Sequence, residues 1–455
     1  MDATLRGYTL DFIQSMLTEE SGGISGWFED LELKSAFQPA FSLPQKHIVG
    51  FEASLRAVDA NGKPVSPETL FGPVQNYAEA AMLDMLSTTL HVHNFFSRRP
   101  SHGILFVNLH PEVLLDSDNS ARFLDALFSH YEVTPRKVMI DIPGAVLKDA
   151  RLGAAIARYR ELGCLISVDD FGVENSDLDS IWHAAPSVVK MGRSVITTAM
   201  HDPRARQMLP RAVSLLHEMG SLVLMEGLES EGQTMLAIDA DADFASGFFF
   251  GPHIESTSQF SSPNELLNGL WNTYKSQPSF SKAIEQGTRA SLENEMLHSS
   301  LERNRQKATP ADIARYRDQR RPYIAAIQEI AEKIVNGAVI ETSGGSFLDL
   351  HGAIRCFVLD AGGKLVSTDV YSKSLPPRQS ADFYSLSAHH EGEWSRRDFF
   401  RRAIKEPEVV QVTRQQSSLT GYRNCVTFSL ATRTSLGKPV VVCGDVDWSM
   451  HAALS

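Results

Sequence analysis

The chain has 455 residues, 43% hydrophobic and 22% charged, the balance of a soluble globular protein with two or three domains. A formal net charge of −12 argues against broad binding to nucleic acid polymers or to an anionic membrane face, though not against an anionic ligand held through a metal. No apolar run approaches a membrane span, and residues 1–8 lack both the basic start and the apolar stretch of a signal peptide, so the expected location is the cytoplasm.

Residues 1–32 read as a helical lead-in. From 33 to 260, short apolar runs alternate with longer helical patterns. The predicted strands are Ala36–Leu43, Ile48–Leu55, Ile104–Leu109, Val138–Ile142, Leu165–Val168, Val188–Met191, Leu222–Met225 and Ala245–Phe250. Eight strands separated mostly by helices predict a TIM-type (β/α)8 barrel. The rival, an open doubly wound sheet, lacks a Gly-x-Gly-x-x-Gly turn after any strand.

Residues 261–340 read as a helical linker. Thr309-Pro310-Ala311-Asp312 supplies an N-cap, a proline at the first helical position and an acidic residue in the first turn. Ile313, Tyr316, Ile324, Ile327, Ile330 and Ile334 then recur largely at helical spacing, which predicts an amphipathic helix over 309–336. Its arginines are read as a solvated face. Its apolar stripe needs a cover, and a second copy of the chain is the expected one, which makes the protein a homodimer. Residues 341–455 turn to strands at Ala353–Leu359, Lys364–Thr368, Gly421–Leu430 and Pro439–Val446, with a helix around Trp394–Ile404. They form a separate α+β domain. Cys164, Cys356 and Cys443 sit in apolar surroundings and read as core residues; with Cys425 they show no metal-type spacing.

The barrel strands end repeatedly in polar residues. Glu52 lies in the second, while Asn108, Asp141, the pair Asp169 and Asp170, Lys190 and Glu226 close five of the others, with Glu229 just beyond. Ligand chemistry in such barrels sits at these ends. Any single residue is consistent with a helix cap, but seven such residues on six successive strands are not. Converging carboxylates repel unless they share cations, which points to hard divalent metals.

These residues carry a resemblance. Phe37-Gln38-Pro39, Glu52-Ala53-Ser54-Leu55-Arg56, Val107-Asn108-Leu109, Asp169-Asp170-Phe171-Gly172, Lys190 and Glu226-Gly227-Leu228-Glu229 together resemble the EAL domain of bacterial cyclic-di-GMP phosphodiesterases. The resemblance implies a modified barrel whose first strand runs antiparallel to its neighbours, with two Mg²⁺ or Mn²⁺ ions. Glu52, Asn108, Asp141 and Asp169 would hold one ion, and Asp169 with Asp170 the other. Lys190 would orient the attacking water, Glu226 would act as base or assist the second metal, and Arg56 would pair with a phosphate. Gln38, Glu229 and Ser246 would contact the cyclic di-GMP, and the product would be linear pGpG.

The chain also departs from that pattern. The family's Glu-x-Thr-Glu is Asp141-Ile142-Pro143-Gly144 here, which shortens one ligand by a methylene, roughly 1.5 Å, and removes a loop brace. The following loop reads Val173-Glu174-Asn175-Ser176-Asp177, Gly192 replaces an aspartate, and Ser246 a glutamine. Losses around a metal site typically cost about 10–100-fold each. Two readings therefore stand beside each other, an active phosphodiesterase and a degenerate receptor that binds the messenger and signals through the helix. A third, a scaffold binding neither, sits badly with the retained metal positions. The C-terminal region resembles a PAS-like Cache sensor, which implies an unknown small ligand near Arg397, Phe399, Tyr422 and Asp445.

Overall fold

A computed structural model of the chain describes residues 9–20, 23–66, 70, 77–97, 103–172, 178–255, 264–276, 310–374, 392–416 and 424–449. The lead-in is helical only over Leu10–Gln14, where the Thr9 side chain accepts from the Phe12 amide. It then forms an antiparallel hairpin, β1 (Leu17–Glu20) and β2 (Gly23–Phe28), that extends the edge of β3 (Leu31–Ser42). This corrects the expected helical lead-in. Leu17-Thr-Glu-Glu has no strand alternation, and its pairing comes from the partner strand rather than from local preference.

The remaining barrel strands are β4 (His47–Val58), β6 (Ile104–Asn108), β7 (Val138–Ile142), β8 (Leu165–Phe171), β9 (Val188–Met191), β10 (Leu222–Met225) and β11 (Phe244–Ser246), with a two-residue β5 (Pro64–Val65) outside the ring. β3 pairs with both β4 and β11, and both pairings are antiparallel, while β4 and β6–β11 pair in parallel. Eight strands therefore close, with the first reversed as the resemblance implies.

Alternation along the strands sorts the side chains into two sets. Leu105, Val107, Ile140, Ile166, Val168, Val189 and Val223 belong to the cluster shared with the outer helices. Ile104, Phe106, Met139, Leu165, Val188, Leu222, Leu224 and Phe244 fill the barrel interior toward the strand starts. The same files continue to Asn108, Asp141, Asp169, Lys190 and Glu226 at the strand ends, so the interior is oily at one end and charged at the other.

The C-terminal domain is a five-stranded antiparallel sheet in the order β13 (Val370–Tyr371), β12 (Ala353–Asp360), β16 (Pro439–Asp447), β15 (Cys425–Arg433), β14 (Gln411–Val412). With helices on both faces, it is consistent with a PAS-like module. Lys364 and Leu365 make only isolated bridges where a strand was expected. The turn before them is formed as expected, with Asp360 Oδ1 accepting from the Gly362 and Lys364 amides at 2.8 and 2.9 Å. All four cysteines are buried thiols.

Two findings bear on how the halves relate. First, the helix Pro310–Val335 is not a free linker. Tyr323, Ile327, Ile330 and Ile334 pack into one core with Phe347, Phe428, Leu430, Val442 and Trp448 of the same chain. From Tyr323 to Ile334 the stripe is thus covered within the chain, while the side chains of Ile313 and Tyr316 lie outside the described residues; the covered part supplies no motive for the expected homodimer. The sequence shows that a stripe needs a cover, not which surface supplies it. Second, the apolar barrel floor and Phe357, Leu359, Trp394, Phe399, Phe400 and Cys443 form a single cluster. The C-terminal domain closes the floor.

Buried charges ring that contact. Asp243, at the start of β11, accepts from the guanidinium of Arg397, from His217 Nε2 at 2.7 Å and from the Val223 amide at 2.8 Å. The paired cations hold its carboxyl well below the usual range despite burial. On the other side, Glu393 bonds Lys46 at 3.3 Å and Lys275, and its amide donates to the Pro44 carbonyl at 2.8 Å.

Ile327 is fully buried in the C-terminal core. Ile327→Asp should destabilise this half by about 3 kcal/mol or more, combining lost apolar burial with an unpaired charge. A lower urea midpoint would show it, and an unchanged midpoint would place the side chain elsewhere.

Candidate functional site

At the strand ends, Lys190 is the central cation. Its Nζ lies 2.7 Å from Asp141 Oδ2, 3.0 Å from Glu226 Oε1, 3.1 Å from Glu52 Oε1 and 4.0 Å from Asp169 Oδ2. The ammonium is almost completely buried and sits 5.4 Å from the Phe106 ring centroid. Burial alone would discharge it, but the surrounding carboxylates outweigh that and hold it firmly protonated.

Asp169 and Asp170 are adjacent, and neighbours on a regular strand point to opposite faces. The register between β8 and β9 shifts between Val168 and Phe171, and Asp170 takes a left-handed φ of 52°. This irregularity turns both carboxylates toward the site, the re-aiming that a bulge accomplishes. The Asp170 amide donates to Asp169 Oδ1 at 2.8 Å. Gly172 follows at φ 92°, where a Cβ would lie 2.6 Å from Val195 Cγ2, so the turn requires glycine.

Two sets of carboxylates come together. Glu52, Asp141 and Asp169 each offer an oxygen within 4.8 Å of the others, and so do Asp169, Asp170 and Glu226. Asp169 belongs to both. Asn108 Nδ2 donates to Glu52 Oε1 at 3.1 Å, beside the first set. An all-oxygen donor set with five carboxylates against one ammonium fits hard divalent cations. The imbalance shows in the acids. Burial, Asp169 and Glu52 push Asp141 up to about 7 against the pull of Lys190. Burial and Asp169 raise Asp170, and burial with Glu52 and Asp169 raises Glu226 well above its usual range.

The shorter Asp141 still joins the first set. It sits back in the barrel, where Ser167 Oγ donates to Oδ1 and Lys190 faces Oδ2. Gly144 begins a short turn beside β8, and a Cβ there would be 3.6 Å from the Asp169 carbonyl, an ordinary contact. Gly192 occupies the N-cap of the helix Arg193–His201 and offers no side-chain cap. The loop 173–177 lies outside the described residues.

Gln38 on β3 is paired in register with Glu52, and Arg56 stands exposed four residues further along β4. Ser246 is buried, its carbonyl accepting from the Leu228 amide at 3.0 Å. Gly247 follows at φ 144°, where a Cβ would lie 2.2 Å from the Leu228 carbonyl oxygen, so the Glu226–Glu229 segment is seated on backbone. Glu229 is at the rim, 2.8 Å from Arg193. Sequence reasoning missed two neighbours, Ser167 and His253. His253 lies 3.4 Å from Ser54 Oγ, and burial together with Arg56 lowers its pKa against the opposing Glu52. It follows a Gly-Pro turn outside any strand, so strand-end reasoning passes over it.

Three of the four expected sensor residues are described. Arg397 reaches out of the domain to Asp243, and Phe399 is part of the floor cluster. Asp445 is buried against Arg355 Nε at 2.7 Å and Thr427 Oγ1 at 2.7 Å. Tyr422 lies outside the described residues.

A carboxyl whose folded pKa is raised gives stability that is full below its unfolded pKa and is lost as pH rises through the folded value. For Asp141 that loss runs from about pH 4, the ordinary carboxyl range, up to about 7. With EDTA present, the thermal midpoint should fall as pH rises from about 4 to about 7 and level off above, and millimolar Mg²⁺ or Mn²⁺ at pH 7 should reverse the fall by binding the ionised set. A midpoint indifferent to both would contradict the charge imbalance.

A family model described as the EAL domain matches residues 24–253, just over half of the 455-residue chain. The chain is 25% identical over 226 residues to the cyclic di-GMP phosphodiesterase RocR of Pseudomonas aeruginosa, covering 48% of this chain and 57% of that protein. It is 28% identical over 225 residues to an uncharacterized protein of Azorhizobium caulinodans, covering 47% and 30%. The chain thus spans less than two thirds of these relatives' length. A solved Bacillus subtilis YkuI protein, with an EAL domain and in complex with cyclic di-GMP and calcium, aligns with 92% of this chain and 96% of its own at 16% identity and a TM-score of 0.48. Among the described residues, no helix is long and apolar enough to cross a membrane.

Proposed function

This chain belongs to the EAL-domain family, and from that premise we propose that its barrel binds cyclic di-GMP at the strand ends and hydrolyses it to linear pGpG. The reaction depends on Mg²⁺ or Mn²⁺, takes place in the cytoplasm and is controlled by the C-terminal domain. The observation that carries this reading is the pair of carboxylate sets sharing Asp169, a donor arrangement suited to two neighbouring cations. Glu52, Asn108, Asp141 and Asp169 would hold one cation, and Asp169, Asp170 and Glu226 the other. When bound, such ions polarise a phosphoryl oxygen and lower the proton affinity of water.

The chain's own groups do the rest. The permanently charged Lys190 offsets negative charge developing on the phosphoryl group. Glu226, whose carboxyl is raised by burial and acidic neighbours, is placed to accept a proton at Oε1. Arg56 pairs with a phosphate, and Gln38, Glu229 and Ser246 contact the rest of the dinucleotide. An activity of this kind should be low. Asp141 is partly committed to Ser167 and Lys190, and Gly144 provides no brace for the segment carrying Asp169 and Asp170. The same observations favour the second reading, a receptor that binds without turnover.

Calorimetry with cyclic di-GMP and Ca²⁺ or Mg²⁺ tests binding, and a hydrolysis assay with Mg²⁺ and Mn²⁺ separates enzyme from receptor. Arg56→Ala should weaken binding by about 1.5–3 kcal/mol, the loss of one charge-assisted hydrogen bond. No binding by the parent protein at millimolar ligand would end the messenger assignment. Asp141→Glu with Gly144→Glu should raise turnover by restoring ligand length and a brace, since the Gly144 position has room for a side chain. Unchanged turnover in the folded double variant would move the defect to Gly192 or Ser246.

A further inference from the structure

Phe248 is 60% exposed, although it directly follows Ser246-Gly247 at the site. Exposed aromatic rings are unremarkable when scattered, but this one is held in place. The blocked Gly247 anchors the backbone before it, and the Gly251 amide donates back to the Phe248 carbonyl at 3.2 Å. Its ring meets the His253 ring edge-on, with centroids 5.7 Å apart and planes at 69°. His253 is in turn positioned beside Ser54, and its charge environment is set by Arg56 and Glu52. Behind it, Ile254 is bridged to Phe37 of β3, with amide–carbonyl contacts of 2.7 and 3.0 Å in the two directions. A rigid aromatic face, braced from behind and turned to solvent, therefore stands on the rim next to the arginine assigned to a phosphate.

We infer that Phe248, braced by His253, is a stacking wall for one guanine base of the bound dinucleotide and so a ligand-positioning residue of this site. The inference rests on the cyclic di-GMP reading above. Cyclic di-GMP carries two flat purines at opposite ends of its phosphodiester ring, so a phosphate on Arg56 leaves a base to be seated to one side. The polar strand-end residues supply no flat apolar surface for it. A purine face on an aromatic ring is sequence-tolerant and strong for its size. The exposure of Phe248 thus has a use that folding does not give it.

The test is calorimetric titration of cyclic di-GMP, in the presence of Ca²⁺, into the full-length parent, Phe248→Ala and Phe248→Trp. The alanine variant should bind about tenfold more weakly or worse, the loss of one base–aromatic stack, and the tryptophan variant within about twofold of the parent. Because the ring is exposed, the alanine variant should keep the parent's thermal midpoint, which separates a lost contact from lost structure. Equal affinity of parent and Phe248→Ala would overturn the wall and leave the messenger assignment intact. A parent that binds no cyclic di-GMP would overturn both.

Discussion

A single ammonium group sits among carboxylates that would otherwise drive one another apart. Lys190 reaches three of them within 3.1 Å and is held there by an apolar shaft beneath, since Val188, two residues earlier in the same file, lies in the barrel floor cluster. One positive charge cannot balance five acids, so the site is poised to accept further cations. The raised Asp141, Asp170 and Glu226 express that shortfall while the site is made of protein alone. Under the proposed function, such a site would exchange protons for metal and depend on both pH and divalent ions.

The rest of the barrel serves this arrangement through the period of two. Each strand sends alternate side chains inward, and the inward file changes from Met139 to Asp141 or from Leu222 and Leu224 to Glu226. The strand β8 departs from the period where two acids in a row must face the same way. The reversed β3 places Gln38 opposite Glu52 and lets the segment after β11 fold back along its edge at Ile254. That return brings His253 and Phe248 to the rim.

Much of this was legible in the sequence. Six of the eight apolar runs carried polar residues at or near their ends because a buried barrel strand has few other ways to be written. The acids of the two carboxylate sets were legible for the same reason. What escaped had its cause elsewhere in the chain. The hairpin at 17–28 exists because β3 offers an edge. The stripe on Ile327 and Ile330 showed only that something must cover it, and the cover proved to be Phe347 just past the helix together with Phe428, Leu430 and Val442 on two strands much later in the chain. Arg397 looked like a ligand-binding arginine within its own domain. Its partner Asp243 closes the run Asp239-Ala-Asp-Ala-Asp243, and only the folded chain sets that acidic run against Arg396-Arg397.

The shared floor has an evolutionary meaning. Where two domains touch through water-filled, polar surfaces, either can be exchanged for another with few adjustments. Here Met139 and Leu165 of the barrel belong to the same packed cluster as Phe357 and Phe399 of the other half, and close packing makes each side chain's volume a condition on its neighbours. A substitution on one side must be answered on the other, as must a change at Asp243 by one at Arg397. Packing of this kind would make the two halves vary together, and the C-terminal domain is less an interchangeable attachment than the base on which this barrel stands.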